Sequence, residues 1–181
     1  HGEGHSFPTR RSSDLAPDAE TLPDVTGECS ATVTAVPTAT DNCAGAIQGA
    51  TTDPLTYTAQ GMYTITWTFD DGNDNSSTQT QTVIVDDVTP PTAICNDFTA
   101  SLNGSEEVTI TVGEVDGGSF DACGIASRTI DVNTVSCYDL GDQPVVLTVT
   151  DNNGLSSTCT ATVTAAAPDE DCDQVADFCD L

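Results

Sequence analysis

The segment "YTITWTFDDGNDNSS", residues 63–77, decides the fold class. Threonines at 64, 66 and 68 alternate with apolar side chains at every second position, namely Tyr63, Ile65, Trp67 and Phe69. One face is therefore apolar and the other carries hydroxyl groups, which is typical of a half-buried β-strand. The Asp, Gly and Asn residues that follow favour a tight turn into a partner strand. The segment predicts an antiparallel hairpin in an all-β protein.

The same pattern recurs 80 residues further along the chain. "TDNCAGAI" (40–47) aligns with "FDACGIAS" (120–127), and "TFDDGNDNSST" (68–78) aligns with "TVTDNNGLSST" (148–158). Similarity at a fixed offset indicates structural repeats in tandem.

We expect two repeats, over residues 22–87 and 88–167, joined at "DDVTPPTA" (86–93). Each is predicted to form a small immunoglobulin-like antiparallel β-sandwich, whose marginal core favours disulfide staples. Residues 168–181 are expected to be an irregular acidic tail. Residues 1–15 hold both histidines and two of the three basic residues, and this break in composition predicts a non-native, tag-like segment similar to a translated sequencing adapter.

Charge and cysteine content exclude several classes of function. The chain has 29 acidic and three basic residues, for a net charge of −26. Nucleic acid and anionic membrane surfaces are recognised by Lys and Arg, so neither is expected as a partner. No apolar run reaches the roughly 18 residues that membrane insertion needs. The even number of cysteines, without a Cys-x-x-Cys pair, favours disulfides and an extracellular or cell-surface location over a metal cluster.

The repeat offset also suggests how the cysteines pair. The eight cysteines are Cys29, Cys43, Cys95, Cys123, Cys137, Cys159, Cys172 and Cys179. Cys137 and Cys159 have no counterpart in repeat 1, so we expect them to bond to each other. The remaining pairs are then Cys29–Cys43, Cys95–Cys123 and Cys172–Cys179. Sequence alone allows about a hundred connectivities, so this pairing is favoured and not proven.

The repeats resemble hyalin (HYR) repeats, immunoglobulin-like modules found in tandem in secreted and cell-surface proteins. "TATDNCAG" (38–45) and the hairpin at 63–77 carry the resemblance. Repeat 2 departs more, because Ala122 replaces the Asn and no Trp matches Trp67. The resemblance spans about residues 22–166. It implies a β-sandwich with a structural or adhesive role in a bacterial-type surface protein, and no catalytic residues to transfer.

The tail segment "DEDCDQVADFCD", residues 169–180, has the oxygen spacing of a calcium loop. Five carboxylates and one backbone carbonyl would be the ligands: Asp169, Asp171, Asp173, Val175 (carbonyl), Asp177 and Asp180. The segment resembles the start of a thrombospondin type 3 repeat. Gln174 stands where the sharp turn usually has Gly. The alternative is a solvated acidic tail with one Cys172–Cys179 clip.

A weaker calcium hypothesis concerns the hairpin turn and the joint. Its candidate ligands are Asp70, Asp71, Asp74, Asp86 and Asp87. Calcium there would stiffen a tandem array. The alternative, which we favour, is a turn whose residues are selected for backbone angles. Asp41 and Asp121 are likewise expected to form Asx-turns.

These features predict a non-catalytic structural or adhesive segment of a large extracellular protein. Outside residues 1–15 the sequence has no His or Lys to activate a nucleophile. Calcium is the expected cofactor, and the neighbouring repeats of the same longer chain are the expected partners. The alternative is an accessory module that binds an extracellular glycan or protein. The alternation that places Trp67 in the core argues against sugar stacking on this ring.

Overall fold

A computed structural model describes residues 14–102 and 107–167. The chain divides between Asp87 and Val88 into two compact units, called unit 1 and unit 2. Both are built from β-sheets whose strand pairs are mainly antiparallel, so the prediction of an all-β fold with two tandem sandwiches is confirmed. No helix among the described residues is long and apolar enough to cross a membrane.

Residues 14–87 of unit 1 contain eight strands: β1 (Ala16–Pro17), β2 (Val25–Gly27), β3 (Ala31–Thr32), β4 (Thr38–Asp41), β5 (Gly45–Gln48), β6 (Thr56–Tyr57), β7 (Gly61–Asp70) and β8 (Ser76–Val85). The sheets have the strand orders β1-β4-β5, β2-β8-β7 and β3-β6. The predicted hairpin is β7–β8, paired from Gly61↔Val85 to Asp70↔Ser76.

The core of unit 1 confirms that the apolar side chains of the alternating segment face inward. Ile65 and Phe69 are fully buried, and Trp67 is only 2% exposed. The Trp67 indole N–H donates a hydrogen bond to Gln81 Oε1 at 3.1 Å, which satisfies its one polar group inside the core. Leu15, grouped above with the N-terminal segment, packs against this core. Residues 1–13 lie outside the described residues.

The described part of unit 2, residues 88–102 and 107–167, contains six strands and two short helices: β9 (Phe98–Ser101), β10 (Glu107–Thr109), α1 (Val112–Val115), β11 (Ile125–Ile130), β12 (Thr134–Ser136), a 3₁₀ turn (Cys137–Asp139), β13 (Gly141–Asp151) and β14 (Ser156–Ala166). One sheet has the order β11-β13-β14-β9, and β10 pairs with β12. Val145, Leu147 and Val149 are fully buried, in the register of Ile65, Trp67 and Phe69.

Helix α1 was missed by the sequence analysis. The alternation in "VTITV" (108–112) suggested a strand, but β10 ends at Thr109 and α1 begins at Val112. The Thr111 backbone N–H and hydroxyl both donate to Glu114 Oε2, at 2.8 and 2.7 Å. This cap starts the single helical turn and overrides the β-propensity of the residues before it.

In each unit the last strand pairs in parallel with a strand near the start of that unit. In unit 1, β2 pairs with β8 from Val25↔Val83 to Gly27↔Val85. In unit 2, β9 pairs with β14 from Phe98↔Val163 to Ser101↔Ala166. Parallel neighbours start at the same end of a sheet, so the chain enters each of these two sheets at one end and leaves it at the other.

Candidate functional site

One disulfide of unit 2 is defined by its geometry. Cys95 is bonded to Cys159, with Cα atoms 5.8 Å apart and a sequence separation of 64. The predicted pairs Cys95–Cys123 and Cys137–Cys159 are therefore wrong. The repeat offset aligns each residue with its copy and carries no information on which strands are neighbours. Cys95 lies just before β9, and β9 pairs with β14, which contains Cys159.

The predicted Cys29–Cys43 pair is also wrong, because Cys43 is a free, exposed thiol. Cys29, Cys123 and Cys137 are disulfide-bonded. Five of the six described cysteines are thus oxidised, which is typical of an oxidising compartment. Cys172 and Cys179 lie outside the described residues.

The acidic hairpin of unit 1 is organised by its own aspartates. Asp71 Oδ1 accepts hydrogen bonds from the backbone N–H groups of Asn73 (2.7 Å) and Asn75 (3.2 Å), and its Oδ2 accepts one from Asn75 Nδ2 at 3.0 Å. Asp70 Oδ1 accepts one from the Gly72 N–H at 2.7 Å. Asp74 adopts a left-handed φ of 67°. These contacts support the interpretation of the segment as a turn.

The hairpin and the joint do not form one ion site. Asp70 and Asp74 line a shallow depression of about 310 Å³ at the tip of the hairpin. Asp86 and Asp87 follow the other end of β8, whose ten residues separate the two groups by about 30 Å at ~3.3 Å per residue. The predicted set Asp70, Asp71, Asp74, Asp86 and Asp87 therefore cannot share a cation. The tail ligands Asp169, Asp171, Asp173, Val175, Asp177 and Asp180 lie outside the described residues.

The two predicted Asx-turns are confirmed. Asp41 Oδ1 accepts hydrogen bonds from the backbone N–H groups of Cys43 and Ala44, both at 2.7 Å. Asp121 Oδ1 accepts those of Cys123 at 2.7 Å and Gly124 at 3.0 Å. These oxygens hold the backbone and explain the Asp-x-Cys spacing without a metal.

A groove in unit 1 was missed by the sequence analysis. The loop over residues 50–53 returns to the edge of β7, where Ala50 forms a bridge with Thr68 and the Thr66 N–H donates to Asp53 Oδ2 at 2.8 Å. The groove has a volume of about 320 Å³ and is lined by Ala50, Thr51, Thr52, Asp53, Thr66 and Thr68. The return of the loop is a tertiary contact, and no local pattern indicates it.

Arg128, the basic residue of unit 2, makes structural contacts within the unit. Arg128 Nε forms an ion pair with Asp116 Oδ2 at 2.9 Å, and Arg128 Nη2 donates to the Ser119 carbonyl at 2.8 Å. Burial acts to raise the pKa of Asp116, but hydrogen bonds from Ser119 and Gly118 and the charge of Arg128 bring it below its ordinary value. Because Asp116 also bridges Cys95, this pair fastens β11 to the segment that carries the disulfide.

Comparison with known proteins gives one family and several distant structures. Residues 15–85 match the family described as an HYR-like domain with 4 cysteines. A search of curated protein sequences finds no match. This match shows that unit 1 is similar to an HYR-like module.

Solved structures are similar only at a distance. Human mucin-like protocadherin EC1-2 is 10% identical, with 84% of this chain and 98% of that chain covered and a TM-score of 0.39. The protocadherin gamma B7 domains 1-4 are 10% identical, with 86% of this chain and 52% of that chain covered and a TM-score of 0.35, so the chain spans about half of that structure. The Clostridium thermocellum CbhA fibronectin(III)-like modules are 11% identical, with 84% of this chain and 94% of that chain covered and a TM-score of 0.31.

Proposed function

We propose that the chain is a non-catalytic structural or adhesive segment of a larger extracellular or cell-surface protein, in which HYR-like modules act as a disulfide- and calcium-stabilised spacer. The observation that carries this proposal is that in both units a strand near the start of the unit pairs in parallel with its last strand, β2 with β8 and β9 with β14. A module that the chain enters at one end and leaves at the other adds its length to an array. Neighbouring repeats of the same chain are then its partners.

The long hairpins support this role. Strands β8 and β13 have ten and eleven residues, which at ~3.3 Å per residue give each module a length of at least 30 Å. In unit 2 the Cys95–Cys159 bond joins the entry segment to the last strand. Covalent staples of this kind compensate for the small core of a short module.

The composition of the described residues supports a role without catalysis. They include no His and no Lys, and their one Arg is paired with Asp116. Within these residues the free thiol of Cys43 therefore has no His or Lys to generate a thiolate nucleophile. The disulfides support an oxidising location.

We propose that calcium stabilises the acidic segments of the intact protein. The net charge of −26 supports this, because bound cations offset self-repulsion. Thermal unfolding of the full chain in chelator, in millimolar calcium and in magnesium tests the proposal. We expect a rise in Tm with calcium that the chain cut after residue 167 does not show. An equal rise in both would move the site into the two units, and no rise in either would refute it.

Small-angle X-ray scattering tests the spacer role. A single compact globule of this length has a radius of gyration of about 16 Å. End-to-end modules give a clearly larger value and an elongated distance distribution. A value near 16 Å would contradict the proposal.

A further inference from the structure

The groove beside β7 presents hydrogen-bonding groups that have no partner among the described residues. The hydroxyls of Thr52, Thr66 and Thr68 line it and make no side-chain hydrogen bond within 14–102 or 107–167. Asp53 is half-buried, and its Oδ2 is held by the Thr66 N–H. Its other oxygen, Oδ1, accepts no hydrogen bond within those ranges. One fixed carboxylate oxygen and three hydroxyls therefore line a groove of about 320 Å³.

The surface beside the groove is neutral in a strongly acidic chain. Three cross-strand pairs continue it over the outer face of the hairpin: Thr64–Thr82, Thr66–Thr80 and Thr68–Thr78. Five of these six threonines are exposed and Thr82 is half-buried, with no charged side chain among them. The overall charge repels an anionic ligand, and a cationic one is drawn instead to the acidic turns. A neutral, hydroxyl-rich ligand is the class that this face suits.

Unit 2 shows that the fold does not produce this groove by default. Asp131 Oδ1 accepts the Val146 N–H at 2.8 Å, and Val146 is aligned with Thr66 at the repeat offset, so the carboxylate again covers a β-strand N–H. The residues aligned with Thr64 and Thr66 are Pro144 and Val146, which have no hydroxyl, and β11 pairs along the same edge of β13. The other four threonines of the pairs do have threonine counterparts in unit 2, at 148, 158, 160 and 162. The carboxylate and most of the threonine face are thus shared, while the returning loop over residues 50–53 and the Thr66 hydroxyl beside it distinguish unit 1.

We propose that this groove of unit 1 is a binding site for neutral carbohydrate. A sugar hydroxyl donates to Asp53 Oδ1, and its neighbours exchange hydrogen bonds with Thr52, Thr66 and Thr68. The methyl groups of Ala50 and of the threonines contact the C–H face of the ring. The threonine pairs beside the groove extend the surface for further sugar units of a polymer. The site goes beyond the spacer role and needs unit 1 alone.

The affinity for a short oligosaccharide is expected to be weak. Each hydroxyl contact replaces one that water makes almost as well, so each contributes little net free energy. No exposed aromatic ring lines the groove to add stacking. Repeated modules that hold one polymer would raise the apparent affinity through effective concentration.

The test is ¹⁵N NMR titration of the full chain with hexasaccharides of β-1,4-glucan, β-1,3-glucan, β-1,4-mannan, β-1,4-xylan and chitin. At least one is expected to shift the amide signals of residues 50–53 and 66–68 at about millimolar concentration. The double variant Thr66→Val and Thr68→Val should bind it about tenfold more weakly. Valine keeps the shape and the β-propensity, and an unchanged Tm confirms that the variant folds.

The matched control is Thr158→Val and Thr160→Val on β14 of unit 2, which should leave the affinity unchanged. Asp53→Asn, which keeps an oxygen for the Thr66 N–H but removes the charge, should also weaken binding. The proposal is overturned if none of the five sugars shifts these signals, if the shifts lie elsewhere, or if the unit 1 variant binds as the parent does. None of these outcomes alters the scattering result, so the spacer proposal stands or fails separately.

Discussion

The hairpin turns of the two units are built on an aligned aspartate, Asp71 and Asp151, and one of the three differences between the turns changes the donors to its carboxylate. In unit 1, Asn75 Nδ2 donates to Asp71 Oδ2 at 3.0 Å. In unit 2, the aligned residue is Leu155, and Oδ2 of Asp151 has no hydrogen-bond partner in the part of the chain that the structure describes. Asp151 is only 1% exposed, so its carboxylate is desolvated without full compensation. The Cys95–Cys159 disulfide and the Arg128–Asp116 ion pair are interactions of unit 2 that can offset this cost.

The largest expected effect comes from the disulfide. Replacing Cys95 and Cys159 by Ala should lower the free energy of unfolding of unit 2 by about 4 kcal/mol, because the bond closes a loop with a separation of 64 residues. Hydrogen exchange of the amides of β13 and β14 measures the loss. Trp67 fluorescence reports unit 1 and should show an unchanged midpoint. Equal losses in both units would show that they unfold together.

Removal of the Asn75 side-chain amide tests the comparison directly. Asn75→Leu gives unit 1 the residue that unit 2 has at this position and should destabilise unit 1 by about 1 kcal/mol, since a half-buried carboxylate loses the amide donor to its Oδ2. Urea unfolding followed by Trp67 fluorescence provides the measurement. Asn73→Leu is the control, because the hydrogen bond from Asn73 Nδ2 to the Asp71 carbonyl is exposed and does not involve the Asp71 carboxylate. An effect no larger than that of the control would show that the amide of Asn75 is unimportant.

The reciprocal change, Leu155→Asn, should stabilise unit 2 by less, about 0.5 kcal/mol. The new amide supplies the missing donor to Asp151 Oδ2, but the half-buried leucine side chain is lost. Amide exchange of β13 reports the change. A destabilised variant would mean that the leucine contacts outweigh the hydrogen bond.

The pH dependence of unit 2 should reflect Asp116. Its pKa in the folded state is lowered, so its contribution to stability is present above the ordinary pKa of 3.8 and is lost as the pH falls through the folded value. We expect Asp116→Asn to remove a small acid-sensitive part of the stability, the part that the parent loses as the pH falls below 3.8. Acid titrations of the Tm of both proteins give the comparison, and parallel curves would contradict it.

Local patterns predicted much of this fold. The alternation around Trp67 identified the core face. The turns at Asp71 and Asp41 could be predicted because each hydrogen bond spans only a few residues. The partner of Cys95 could not be predicted, since it depends on which strand lies beside β9. The groove at Asp53 was missed for the same reason, because its carboxylate meets a strand 13 residues later.

The position of Cys159 has a consequence for the order of events during biosynthesis. Cys95 leaves the ribosome first, and both Cys123 and Cys137 follow before Cys159 appears in the last strand of the unit. The first thiols that Cys95 can meet are therefore the wrong ones. Unit 1, by contrast, has its whole core once Val85 is made. Correct maturation of unit 2 thus requires either that early bonds be reshuffled, a step that a disulfide isomerase accelerates, or that oxidation wait until the strand is complete.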